Sequence, residues 1–128
     1  MAHVTVVNDS PEFLELVRDI LEGDAYDTTL IEADEQDALQ LIRQSQPDVL
    51  MIDLRMGREG LHGWDVARAL RRDAQFDRLP IVICSGDLQA MGELEAELTA
   101  TRDVAALAKP FEIDELIATI DGLLDRRP

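Results

Sequence analysis

Four short segments of this 128-residue chain carry groups that could do chemistry together: Asn8-Asp9, Asp53, Ser85-Gly86-Asp87 and Lys109-Pro110. Each directly follows an apolar run: HVTVV, VLMI, PIVIC and VAALA. Lys109 is the only lysine in the sequence. If Asp9 and Asp53 lie on neighbouring strands, they repel by on the order of 4 kcal/mol at about 4 Å and an effective dielectric of about 20. Such a pair calls for a cation. A hard divalent ion with oxygen ligands, Mg²⁺ first, suits it better than a transition metal, because no histidine or thiolate is placed to bind. Lys109 adds a fixed positive charge, and Ser85 a hydroxyl able to hydrogen-bond an oxyanion. A carboxylate held beside a metal ion and a lysine can attack a phosphoryl group, since phosphoryl transfer mainly needs positioning and charge neutralisation.

The pattern around these segments says how they meet. Strands are predicted over His3–Val7, Thr28–Ala33, Val49–Asp53, Pro80–Cys84 and Val104–Ala108, where short apolar, largely β-branched runs occur. Helical spacing marks Pro11–Glu22, Glu35–Gln46, Trp64–Gln75, Leu88–Ala100 and Phe111–Leu124. Ser10 before Pro11 reads as an N-cap with proline in the first turn, and Gly23 as the stop. Five β/α units in 128 residues predict an α/β doubly wound, five-stranded parallel sheet of order 2-1-3-4-5. In such a sheet the ligand site lies beyond the carboxyl ends of the strands, where strand order reverses. All four chemical segments end there.

Composition narrows the function further. Twelve Lys and Arg against 27 Asp and Glu give a net charge of −15, which leaves no basic footprint for a phosphate backbone and argues against direct nucleic-acid binding. One cysteine, Cys84, excludes an internal disulfide and a cysteine zinc site; it reads as a small buried hydrophobe. No apolar run is long enough to span a bilayer. Neither a G-x-G-x-x-G nor a P-loop pattern occurs, so dinucleotide and nucleotide triphosphate binding find no support.

The stretches VTVVNDSPEFLELV, PDVLMIDLRMG, GWDVARAL, LPIVICSGD and AKPF, in that order, resemble the receiver domain of two-component response regulators over essentially the whole chain. The resemblance implies the flavodoxin-like (βα)₅ fold and makes Asp53 the phosphoacceptor for a sensor kinase histidine. It implies Asp9 as a direct Mg²⁺ ligand together with Asp53 and the backbone carbonyl of Arg55. Ser85 and Lys109 would hold the phosphoryl oxygens, and Pro110 would fix the peptide bond after the lysine, usually as cis. Asn8 stands where the family has a second acid, which leaves it an indirect and weakened part in metal binding. Ala106 stands where a Tyr or Phe swings inward together with Ser85, so the switch lacks its ring.

A single receiver domain over residues 1–128, with no output domain, is therefore expected. It is read as a cytoplasmic protein and not an enzyme, and its signal leaves by protein contact. By resemblance, the fourth helix, fifth strand and fifth helix face a downstream target. The first helix, with Phe13 and Leu14, faces a sensor histidine kinase or phosphotransfer protein. A homodimer is compatible with the fold. Arg55 and Asp87, of opposite charge, are expected to pair across the site. Two other readings stay open. One is a receiver-like binding module indifferent to phosphorylation, which Asn8 and Ala106 favour. The other is a Mg²⁺-dependent phosphohydrolase with Asp53 as nucleophile; it needs a general acid two residues later, where Arg55 stands instead.

Overall fold

The computed structural model describes residues 2–32, 38–54, 62–101 and 103–125. The apolar runs form five parallel strands: β1 (His3–Asn8), β2 (Asp27–Glu32), β3 (Val49–Asp53), β4 (Ile81–Ser85) and β5 (Val104–Ala108). They hydrogen-bond in the order β2-β1-β3-β4-β5. This is the predicted sheet. β3 and β4 are buried at every position, whereas β2 and β5, at the edges, are only partly covered.

Alternation along the strands divides the core in two. Val4, Val6, Val49, Met51, Val82, Cys84 and Leu107 pack under α1 (Pro11–Gly23). The final helix, α6 (Ile113–Asp125), covers the same face through Leu116, Ile120 and Leu123. Val7, Leu50, Ile52, Ile81 and Ile83 face the other way, against α2 (Ala38–Ser45) and α3 (His62–Arg71). The same face meets two short helices, α4 (Leu88–Glu93) and α5 (Glu95–Ala100), through Ala90 and Leu98. Burying each of these aliphatic side chains is worth about 1.5–3 kcal/mol. A one-residue slip of β3 would reverse the set and turn Asp53 to the wrong face, so core packing fixes the site's register.

Two helices differ from the sequence expectation. The fourth predicted helix is broken at Leu94 into α4 and α5. Gly92 lies in the last turn before the break, where glycine weakens a helix, and the Leu94 N–H caps back onto Met91 and Gly92. The third helix stops at Arg71 rather than Gln75. The Asp73 side chain accepts from the Gln75 N–H at 3.0 Å, an Asx-type turn that competes with helix, and the chain then inserts Phe76 and Leu79 into the core. Residues 33–37 lie outside the described residues, so the predicted start of the second helix falls there. No helix among the described residues is long and apolar enough to cross a membrane.

Candidate functional site

Asn8 and Asp53 end neighbouring strands and share the α1/α6 side of the alternation, with Lys109 following directly after β5. Asp53 is almost fully buried. Its Oδ2 accepts two hydrogen bonds, from Lys109 Nζ at 2.6 Å and from Asn8 Nδ2 at 2.9 Å. A buried carboxylate is costly unless paired and hydrogen-bonded, and here both conditions are met.

Asn8 has no polar end to spare. Its Oδ1 accepts from the Ser10 N–H at 2.9 Å, which can only donate, so the amide must present Nδ2 to Asp53. Asn8, expected as an indirect and weakened metal position, is also a neutral hydrogen-bond donor to the aspartate. Ser10 then caps α1 by accepting from the Phe13 N–H at 3.3 Å. Asp9 is exposed, in the bend between β1 and α1.

Lys109 is gripped on a second side. Its Nζ lies 4.1 Å from the centre of the Phe13 ring, within reach of the negative ring face. Phe13 in turn meets Phe111 edge to face, centroids 6.1 Å apart at 80°, the arrangement ring quadrupoles favour. The Lys109–Pro110 peptide bond is cis.

Ser85 is buried at the end of β4. Its Oγ accepts from the Asp87 N–H at 3.0 Å, and its carbonyl accepts from the Lys109 N–H at 2.9 Å. Asp87 caps α4 through the Ala90 N–H at 2.9 Å. Arg55, and with it the Arg55 carbonyl and the expected Arg55–Asp87 pair, lies outside the described residues. Cys84 pairs in register with Asp53. Burial pushes its thiol up to about 12, with Asp53 adding to the rise and Lys109 opposing it. The sulfur is thus no nucleophile near neutral pH.

Gly63 was not singled out by sequence reasoning. A Cβ there would lie 1.9 Å from the Asp53 carbonyl oxygen, and the Gly63 N–H donates to the Leu54 carbonyl at 3.1 Å. Only glycine lets α3 start this close to the backbone that carries Asp53. Nothing in the sequence separates it from the neighbouring Gly57 and Gly60. Phe111 also went unassigned, and Phe13 was read only as a docking residue, because a ring over a lysine from another segment leaves no spacing signal.

Ala106, on β5, is exposed. It lines a groove of about 340 Å³ with Met91, Gly92, Glu95, Leu98, Thr99 and Val104. The missing ring therefore corresponds to open space between β5 and the α4–α5 pair.

The residues fit a hard cation. Asp9 and Asp53 offer carboxylate oxygens only, and no set of three or more His, Cys, Asp or Glu that could hold a metal occurs among the described residues. Mg²⁺ keeps several waters and takes one or two carboxylates, a donor type that Asp9 and Asp53 provide.

The DNA-binding response regulator MtrA of Mycolicibacterium smegmatis is 31% identical over 96% of this chain, which spans 50% of that protein. The chain thus covers about half the length of that relative. Protein PilH of Pseudomonas aeruginosa is 30% identical over 97% of this chain and 98% of its own length. The receiver domain of a Pseudomonas aeruginosa sensor histidine kinase, solved with magnesium in its active site cleft, shares the fold with a TM-score of 0.78 at 24% identity, covering 97% and 98% of the two chains. The family model for the response regulator receiver domain matches residues 4–121. With the sheet order and the strand-end cluster, these matches settle the family: the chain belongs to the response regulator receiver domains of two-component signalling.

Proposed function

We propose that these 128 residues form one receiver domain that accepts a phosphoryl group on Asp53 and passes the signal on by protein contact. The observation that carries this reading is the Asp53 carboxylate, buried and held by Lys109 at 2.6 Å and Asn8 at 2.9 Å. As an anion, Asp53 needs no base. Its oxygen forms the new P–O bond while the donor's P–N or P–O bond breaks, and the donor leaves with that bond's electron pair. Lys109, already at the carboxylate, neutralises charge on the incoming phosphoryl oxygens, and Ser85 supplies a hydroxyl beside them. Asp9 and Asp53, with the Arg55 carbonyl, would hold Mg²⁺. When bound, that ion shields the phosphate charge from the carboxylates.

The donor is a sensor histidine kinase or a phosphotransfer protein that docks on α1. The output face is the surface of α4, α5, β5 and α6. PilH, matched over 97% of this chain and 98% of its own length, is a relative of about the same size, which supports reading these residues as one receiver unit.

Incubation with acetyl phosphate and Mg²⁺, followed by intact mass, is expected to give one phosphoryl adduct that Asp53→Asn abolishes. Trp64, the single tryptophan, gives a parallel fluorescence signal. One set of observations favours a second reading. The neutral Asn8 amide and the open groove at Ala106 suit a partner bound without phosphorylation. Absence of the adduct, with candidate kinases also tried, would select that reading.

A further inference from the structure

Five residues close a circuit of contacts around the carboxylate. Asn8 Oδ1 takes the Ser10 N–H, Ser10 Oγ takes the Phe13 N–H, and the Phe13 ring carries Lys109 Nζ. Lys109 Nζ and Asn8 Nδ2 then meet on the same oxygen of Asp53. We propose that Phe13 is a positioning residue for Lys109, its ring face holding the ammonium at Asp53 while leaving it free to move between oxygens. This rests on the phosphoacceptor reading of Asp53.

The physical need is specific to lysine. A four-carbon stem loses up to about 2 kcal/mol of rotamer entropy when it is fixed. The 2.6 Å ion pair with Asp53 fixes it in the resting state only. Once Asp53 carries a phosphoryl group, the ammonium must turn to a phosphoryl oxygen, and the resting contact is lost. A ring face attracts a cation without a directional lone pair, so it supports both positions of Nζ and competes for neither oxygen. The ring itself is held at two points. Its backbone N–H is tied to Ser10, and Phe111 packs edge to face against it at 6.1 Å. Since Lys109 is only partly exposed, at 25% of its side chain, the contact is not fully screened by water.

Because Lys109 is the sole lysine, labelling with ¹³C,¹⁵N-lysine gives one side-chain spin system that reports on this site alone. In the wild type the ring current is expected to move the Lys109 ε-methylene protons upfield. Phe13→Leu keeps an apolar side chain of similar reach and should return them to the shift of an unstacked lysine. Phe13→Tyr, which retains the ring, should keep them upfield. With acetyl phosphate and Mg²⁺, the rate of adduct formation should fall about threefold to tenfold in Phe13→Leu, the range a partly desolvated cation–ring contact supports, and recover in Phe13→Tyr. A general packing defect would not follow the ring, and far-UV circular dichroism checks that both variants fold.

An unshifted Lys109 signal in the wild type, or a Phe13→Leu rate equal to wild type, overturns the proposal. The NMR readout needs no phosphorylation. A shifted signal in a protein that forms no adduct would therefore count against Asp53 as phosphoacceptor and leave the lysine–ring contact standing.

Discussion

The two faces of the sheet treat the site differently. On the α1/α6 side, α1 sets the Phe13 ring against Lys109, Phe111 just before α6 packs edge to face on Phe13, and the alternation of β1 and β3 sends Asn8 and Asp53 to the same side. On the opposite side, α4 and α5 have six residues each, Ser85 is held among the described residues by the turn into α4 and its own backbone, and Ala106 opens onto a groove of about 340 Å³. One face is built to hold the reacting groups. The other is loosely packed next to them, and short, interrupted helices with few buried residues are where low-energy rearrangement is expected. The holding and the yielding surroundings of the site thus fall on opposite faces, with the rings that touch or support Lys109 on the holding side.

The exception on the second face is α3, and breaking it should have the largest effect. In Gly63→Ala the new Cβ would have to relieve a 1.9 Å approach to the Asp53 carbonyl. Neither α3 nor β3 can yield without disturbing Trp64, Ala67 or Ile52, all buried. Overpacking against backbone is expected to cost about 3 kcal/mol or more, read as a lower urea midpoint at unchanged slope, and to slow adduct formation on Asp53. A wild-type midpoint would mean that α3 is as yielding as α4 and α5, and the contrast between anchored and loose elements on that face would fail.

How legible this was in the sequence depends on the kind of signal. Strand order and the positions of Asn8, Asp53, Ser85 and Lys109 came directly from apolar runs ending in polar residues, because core burial fixes the strands and the strands fix their ends. Helix ends were less legible. Asp73 diverts the end of α3 with a local side-chain turn, and the α4–α5 break depends on Gly92 and Leu94 within a segment of otherwise helical composition. The site's supports were hidden for a different reason. Gly63 matters through a backbone carbonyl ten residues earlier, and the Phe13 ring through a lysine just after β5, far along the chain. Neither contact leaves a period or motif.

On the holding face, Asn8→Asp sharpens the comparison with a smaller effect. The substitution replaces a 2.9 Å donor to Asp53 with a like charge. Without divalent ions the folded protein is expected to lose about 2 kcal/mol, from one hydrogen bond exchanged for repulsion at a buried oxygen. Added Mg²⁺ should restore more stability to the variant than it gives the wild type, with Mg²⁺ affinity rising about tenfold for an added carboxylate charge near the ion. Thermal unfolding with and without Mg²⁺ measures both changes. If the variant is as stable as wild type in EDTA, the Asn8 amide is not what holds Asp53.

The smallest effect is expected on the yielding face. Ala106→Tyr places a ring beside Met91, Leu98 and Val104, where its apolar edge can be buried while the hydroxyl stays in water near Glu95 and Thr99. β5 is an edge strand, and aromatic residues favour that setting. Burial of part of one ring is then worth no more than about 1 kcal/mol. The groove already has the room, so no element needs to move, and the Lys109 signal on the far side of the sheet should stay where it is. A destabilisation above about 1 kcal/mol would mean that the groove is closed in solution. A displaced Lys109 resonance would mean that the two faces are coupled through β5, and that a ring on either side can reach the same ammonium group.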